Sequence, residues 1–286
     1  MSTTPDTPLH DPLKSLTAAI ERRHQRFLSD IARCPKTKSC HQHPDTIAEF
    51  DHDRTILNGA ITYRCADCDR AAEEAQFVKI QNNCGVPYDV RHATFENFDY
   101  HRKPDHVDSC TPSDFLRAAT SFTAGTFRNL ILSGTCGIGK GHLGAAVINA
   151  AIAQKRVRPQ GQLTAKWVTA HNLFSACHEL YKTTGIEPLL HHYASRNLLV
   201  LDECAMAEMP RDGQRIFYEI IDRRQKQTDR VMLTLFLTNA TVPALKQWLG
   251  APAVDRLRSG GVKALWGSWP SARGTDIDRA GKAGEF

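Results

Sequence analysis

Between residues 11 and 33 the apolar positions Leu13, Leu16, Ile20, Phe27, Leu28 and Ile31 recur at helical spacing, with Glu21, Arg22, Arg23 and Arg26 between them. That period predicts an amphipathic helix near the N-terminus, suited to cover its own domain or to dock on a partner. The periodicity then stops. From Cys34 to about Cys84 the chain is polar and dense in Cys and His, which suits a small metal-stapled module rather than an apolar core. Beyond residue 90, helical patterns alternate with short apolar runs at Leu130–Leu132, Trp167–Val168, Leu198–Leu201, Val231–Leu237 and Val262–Trp266. Strands alternating with helices predict an α/β domain: a parallel five-stranded sheet between helices. The expected organisation is a helix and metal module over 1–89, the α/β domain over 90–270, and a small, charged, Gly-rich tail over 271–286, expected to be disordered.

One of the apolar runs carries chemistry. Asn129-Leu-Ile-Leu-Ser133 leads into Gly134, Thr135, Cys136, Gly137, Ile138, Gly139, Lys140, Gly141 and His142, followed by a helical pattern through Leu143, Val147, Ile148 and Ile152. Strand, glycine loop and helix in that order form a phosphate cradle. The glycines let successive backbone N–H groups face one anion, the helix N-terminus adds its dipole, and Lys140 meets the β- and γ-phosphates of a nucleoside triphosphate, with ATP expected. The residue after the lysine normally offers a hydroxyl to Mg²⁺; here it is Gly141, so water is expected in that coordination position and hydrolysis is expected to be weak or partner-stimulated.

Leu198-Leu-Val-Leu ends in Asp202-Glu203, two carboxylates at the C-terminal edge of a buried parallel strand. In that place Asp202 would hold the Mg²⁺ shell and Glu203 would polarise the attacking water. The run that follows ends at Asn239, a polar side chain placed to contact the γ-phosphate or the water. Arg256 and Arg258 stand together on a short helical segment; in an assembly one of them could enter a neighbour's nucleotide site.

Composition adds limits. The 286 residues, 41% hydrophobic, suffice for one full core and a smaller module. No stretch approaches the roughly eighteen apolar residues that span a bilayer, and the start MSTTPDTPLHDPLK lacks an apolar signal core, so a cytoplasmic protein without membrane contact is expected. A net charge of +5 is compatible with nucleic acid without requiring it. Basic runs at Arg22–Arg23, Lys155–Arg158 and Arg223–Lys226 suit solvated helix faces.

Nine cysteines, an odd number, do not form a secreted disulfide framework beside a nucleotide site. Cys65-Ala-Asp-Cys68 is a CxxC and Cys40-His-Gln-His43 a CxxH, with 21 residues between His43 and Cys65; two such pairs can close one tetrahedral Zn²⁺ site. By spacing alone Cys34, His41 and Cys84 remain competitors.

Taken together, Gly134–His142, the strand ending in Asp202-Glu203, Asp222-Arg223-Arg224, Leu237-Thr238-Asn239, Asp255-Arg256-Leu257-Arg258 and Leu265-Trp266 resemble the DnaC-type helicase loaders, AAA+ ATPases of the initiator branch. Cys84-Gly-Val-Pro-Tyr-Asp-Val-Arg-His-Ala-Thr-Phe-Glu-Asn-Phe98 is similar to the segment leading into their ATPase domain. The resemblance spans about residues 40–270. It implies an ATPase that places a replicative helicase on single-stranded DNA, with Asp202 and Glu203 as the Walker B pair, Asn239 as sensor 1, Arg256 as the arginine of the terminal box, and self-association through the ATPase domain. Many loaders carry another arginine shortly before that box, where this chain reads Gly250-Ala-Pro-Ala253. In phage-borne members a CxxH…CxxC arrangement precedes the ATPase domain, which implies Cys40, His43, Cys65 and Cys68 as the ligands of a structural zinc. The alternatives are an IstB-like transposition helper, a nucleotide-binding adaptor with little hydrolysis, and, more remotely, a small-molecule P-loop kinase.

Overall fold

The computed structural model describes residues 12–51, 53, 55, 61–156, 164–206, 208–227, 229 and 231–272. They fall into two compact units, divided between Gln76 and Phe77. The expected tail falls mostly on residues 273–286, outside the described residues. Among those described, no helix is long and apolar enough to cross a membrane.

The first unit opens with α1 (Pro12–Arg33), where the helical period is expected. Three short strands follow, β1 (Thr37–Ser39), β2 (Ile47–Phe50) and β3 (Tyr63–Arg64), in an antiparallel sheet of order β1-β2-β3. Thr37 pairs with Glu49 and Phe50 with Tyr63. Helix α2 (Ala66–Cys84) begins immediately after β3, and the division between the units falls within it. The buried hydrophobic cluster of the first unit is Cys40, Ala48 and Cys65, with Tyr63 and Cys68 packed against it.

The second unit contains α3 (Pro112–Thr123), β4 (Asn129–Gly134), α4 (Lys140–Arg156), β5 (Ala165–Thr169), α5 (Ala170–Tyr181), α6 (Glu187–Ala194) and β6 (Leu198–Asp202). It continues with α7 (Gly213–Gln225), β7 (Leu233–Thr238), α8 (Val242–Leu249), α9 (Ala251–Ser259) and β8 (Val262–Gly267). The five strands are parallel, in the order β5-β6-β7-β4-β8. The expected α/β class and strand number are borne out. Each expected apolar run lies wholly or largely in one strand, although Val231 is exposed ahead of β7.

Period two along the strands sorts the core into two layers. Leu130, Leu132, Leu198, Val200, Leu235 and Leu237 join α3 and α4 on one face; Ile131, Leu199, Leu201 and Phe236 join α5 to α9 on the other. Helix α4 carries the chain from β4 across to β5 on the first face, and the return through β6 and β7 to β8 uses the second. Right-handed crossovers require that change of face when the direction reverses. Because the connections leaving β4 and β7 diverge, a crevice opens between those neighbouring strands at their C-terminal ends.

Two polar devices support this frame. Asn149 on α4 donates to the carbonyls of Arg91 (3.0 Å) and Ala93 (2.8 Å) and accepts from Gln81 (2.8 Å), so the segment after α2 is tied to α4. Arg224 is 1% exposed and donates to the carbonyls of Arg196 and Leu233, both at 2.6 Å, and to Thr234 Oγ1 at 2.9 Å. The basic run Arg223–Lys226 is therefore not simply a solvated face: Arg224 fastens the end of α6 to β7, and Arg223 pairs with Glu187.

Candidate nucleotide site and metal cluster

All six residues of β4 are buried, which fixes the point where the glycine loop leaves the sheet. Gly137 and Gly139 adopt φ of 78° and 99°, left-handed values that glycine takes without strain. A Cβ on Gly137 would lie 1.9 Å from Ser271 Oγ, and one on Gly139 2.7 Å from Phe98 Cε2. Ile138 plugs the loop into the core, and its carbonyl accepts the Trp269 indole N–H at 3.0 Å. Residues after β8 brace the loop further, with Thr135 N donating to Gly267 O (3.2 Å) and Ala272 N to Gly137 O (2.9 Å). Lys140, the first residue of α4, is buried and donates to Gly134 O at 2.9 Å and Thr135 O at 2.7 Å, which holds its ammonium inside the loop.

The acidic pair lies at the end of β6. Asp202 is half-buried and Glu203 exposed. Glu203 takes a left-handed backbone (φ 54°) and donates its N–H to Asp202 Oδ1 at 2.8 Å. Ala205 is also left-handed (φ 61°); non-glycine residues in that region store strain, a feature of functional loops. Cys204 N donates to Leu237 O at 3.1 Å and the Thr238 hydroxyl donates to Cys204 O, lacing this turn to the end of β7 beside Asn239. Burial pushes the Asp202 carboxyl above its ordinary value, and the nearby Glu203 charge adds to this; the Glu203 N–H, the Trp167 indole and Lys140 oppose it.

These groups meet in one cleft of ≈ 360 Å³. Cys136, Gly137, Gly139, Lys140, Gly141 and His142 line it on one side, Asp202, Glu203 and Asn239 on another. Gly134 and Ile138 are buried and Thr135 is exposed, all outside the lining. The sequence assigns no site role to Asp89 and Val90 on the 3₁₀ turn Tyr88–Val90, or to Thr238 and Ala272, which also line the cleft; they arrive by tertiary packing. His142 holds the Asp89–Phe98 segment to α4: its Nε2 lies 3.0 Å from Thr94 O and its ring 5.6 Å from that of Phe98. Since a carbonyl only accepts, Nε2 is the donor; burial lowers the His142 pKa, with this hydrogen bond opposing it.

Arg256 lies outside the cleft lining. On α9 its Nε stands 3.0 Å from Asp222 Oδ1, while Lys226 Nζ stands 2.6 Å from Asp222 Oδ2. Contact with the Tyr218 side chain, then the Asp222 charge, raises the Arg256 pKa.

In the first unit, β1 ends just before Cys40, β3 just before Cys65, and Cys68 lies in the first turn of α2. The Thr46 N–H donates to His43 O (2.9 Å) and Cys40 N–H to Thr46 O (3.0 Å), turning His43 back over the strands. Cys40 Sγ is 3.4 Å from Cys68 Sγ, and His43 Nδ1 is 3.9, 3.8 and 3.3 Å from the sulfurs of Cys40, Cys65 and Cys68. All four donor atoms lie within 4.8 Å of one another. A tetrahedron with metal–sulfur bonds of about 2.3 Å has edges of about 3.8 Å, so the donor set fits Zn²⁺. Backbone N–H groups, that of His43 foremost, lower Cys40 to about 6; Cys40 in turn, with burial, raises Cys68 to about 12. A cation among these sulfurs would relieve the repulsion that raises Cys68. Cys34, His41 and Cys84 are not in the cluster.

A glycine loop between strand and helix, with an acidic strand end one strand removed across β7, defines a P-loop ATP-binding domain of AAA+ architecture. The chain belongs to the family of IstB-like ATP binding proteins, whose model it matches over residues 69–256. It is 30% identical over 210 residues to the uncharacterized protein YdaV of Escherichia coli (strain K12), covering 72% of this chain and 79% of that protein. It is 26% identical over 220 residues to the replicative helicase loader DnaC of the same strain, covering 75% of this chain and 82% of that protein. A crystal structure of the DnaC helicase loader aligns at 18% identity and a TM-score of 0.49, over 64% of this chain and 100% of that one.

Proposed function

We propose that this chain is an ATP-dependent loader of a replicative helicase, with ATPase turnover that is weak until partners engage. The observation that carries the ATPase half is the shared cleft: the phosphate loop, Asp202, Glu203 and Asn239 converge at the C-terminal ends of β4, β6 and β7. The loader half is supported by similarity to DnaC over most of the length of both proteins.

In this reading Gly134–His142 bind the triphosphate of ATP, and Lys140 exchanges the loop carbonyls for the β- and γ-phosphate oxygens. Asp202 would hold a Mg²⁺ ion, whose charge would offset that of the phosphates. Glu203 orients the attacking water and Asn239 reads the γ-phosphate. Gly141 would offer that ion no hydroxyl, which is consistent with slow turnover. Arg256 serves a neighbouring subunit's site on self-association, after leaving Asp222. Cys40, His43, Cys65 and Cys68 hold a structural Zn²⁺, and the module over residues 1–89 binds the helicase, while the ATPase domain over 90–270 meets single-stranded DNA in the cytoplasm.

The test is co-purification with the replicative helicase of the native cell, followed by ATP turnover with and without that helicase and single-stranded DNA. Capture of the helicase and stimulated turnover are expected. The matching family model favours a second reading, a transposition helper; capture of a transposase in place of the helicase would select it. A nucleotide-dependent complex without turnover would indicate the adaptor.

A further inference from the structure

Trp167 on β5 is 5% exposed, and its indole N–H is buried and makes no hydrogen bond of ordinary length among the described residues, although its influence reaches the Asp202 carboxyl. Native cores rarely keep such a donor unless something uses it. The other fully buried indole, that of Trp269, is satisfied by Ile138 O at 3.0 Å.

The surroundings of Trp167 point to Asp202. The β5–β6 register pairs Trp167 with Val200 and Thr169 with Asp202, and side chains two residues apart share a face of the sheet. Trp167 and Asp202 therefore face the layer that α4 covers, and α4 starts at Lys140. The ring is admitted there by Gly144, one turn beyond Lys140: a Cβ at that position would stand 2.9 Å from both Cη2 and Cζ3 of the indole. The indole also helps to hold the Asp202 carboxyl in its charged form against the cost of burial.

We propose that Trp167 is a positioning residue of the nucleotide site, its indole N–H acting with the Glu203 N–H to orient the Asp202 carboxylate toward a nucleotide-bound divalent cation. This rests on the nucleotide-binding reading above. The role gains weight because Gly141 brings no hydroxyl to the cation, so its placement depends more on Asp202. The indole does not touch nucleotide; it acts through the carboxylate, and Gly144 and Trp167 work as a matched pair.

Trp167→Phe keeps a ring in the space above Gly144 and removes only the donor. Nucleotide affinity is titrated for both proteins in excess EDTA and across a Mg²⁺ series, and turnover is followed over the same series. The expected result is unchanged affinity in EDTA, a loss of about tenfold in the Mg²⁺-dependent gain, and a matching rise in the Mg²⁺ needed for half-maximal turnover, the scale of one hydrogen bond to a charged group. Identical Mg²⁺ dependence in the two proteins would overturn the proposal. Failure of the wild type to bind any nucleotide would instead remove the nucleotide site itself. Should Trp167→Phe not melt like the wild type, the indole ¹⁵N–¹H signals of the four tryptophans are compared between wild type and Asp202→Asn: displacement of one signal is expected, and no displacement would overturn the assignment.

Discussion

The two units of this chain are stabilised by different physics. The ATPase unit buries apolar side chains on both faces of a five-stranded sheet, and its central strands contain almost no exposed position. The first unit has Cys40, Ala48 and Cys65 as its buried cluster and strands of three, four and two residues. Such burial as the described residues of this unit show would need a cross-link to offset the entropy of ordering the chain, and the four side chains of the Cys/His cluster stand where a metal would supply one. With zinc bound as proposed, the small unit would depend on chemistry at four atoms, whereas the ATPase fold depends on volume and packing.

The widest separation between the units is expected on metal removal. A structural zinc contributes about 10–16 kcal/mol in small zinc-finger peptides, so chelation or Cys65→Ser should abolish amide protection over β1 to β3 and leave nucleotide binding by the ATPase unit unchanged. Metal analysis should give about one zinc per chain for the wild type and for Cys34→Ser. Persistent protection in zinc-free protein would break the comparison.

The reciprocal experiment is Phe236→Ala, which opens a cavity at a fully buried position of β7. A loss of about 3–5 kcal/mol is expected in the melting of the ATPase unit, with zinc content unaltered. A loss below about 1 kcal/mol would mean that the sheet is far more accommodating than its packing implies.

How far the sequence foretold these features follows the same division. Strands β4, β6 and β7 were legible because parallel strands covered on both faces read as unbroken apolar runs, and the glycine loop and acidic pair sit at their ends. Strands β1 to β3 were not, since Thr37–Ser39 is wholly exposed and β3 is two residues long. Local spacing left the choice of metal donors open; the family resemblance favoured Cys40 and His43 over Cys34, and the fold brings those two together with Cys65 and Cys68. Asp89, Val90 and Ala272 reach the cleft from distant segments, and no local pattern marks them. The same holds for the ion pair of Arg256 with Asp222, two residues that sit in separate motifs.

That pair gives a smaller expected effect. Arg256→Ala should leave nucleotide affinity of the isolated chain intact, because Arg256 lies outside the cleft lining, yet reduce helicase- or DNA-stimulated turnover about tenfold, below the usual range for an arginine finger because the site is incomplete at Gly141. Steady-state hydrolysis with and without partners measures this; equal stimulation in both proteins would leave Arg256 as a partner of Asp222 alone.

The smallest effect is a pH dependence within the ATPase unit. Burial holds His142 below its usual 6.5. Between the folded value and 6.5 the unfolded chain binds more protons, so stability rises with pH through that window and is lost on acidification. Melting temperature followed downward from pH 7 should fall less steeply for His142→Gln than for wild type. Identical slopes would show that other groups dominate.

The account depends first on the loop between β4 and α4 being a triphosphate site. A calorimetric titration of wild type and Lys140→Ala with ATP and Mg²⁺ tests this directly. Saturable binding at one site per chain is expected for the wild type and no measurable binding for Lys140→Ala, since the cradle of N–H groups remains but the buried ammonium that meets the β- and γ-phosphates is gone. Equal affinity in the two proteins would contradict it.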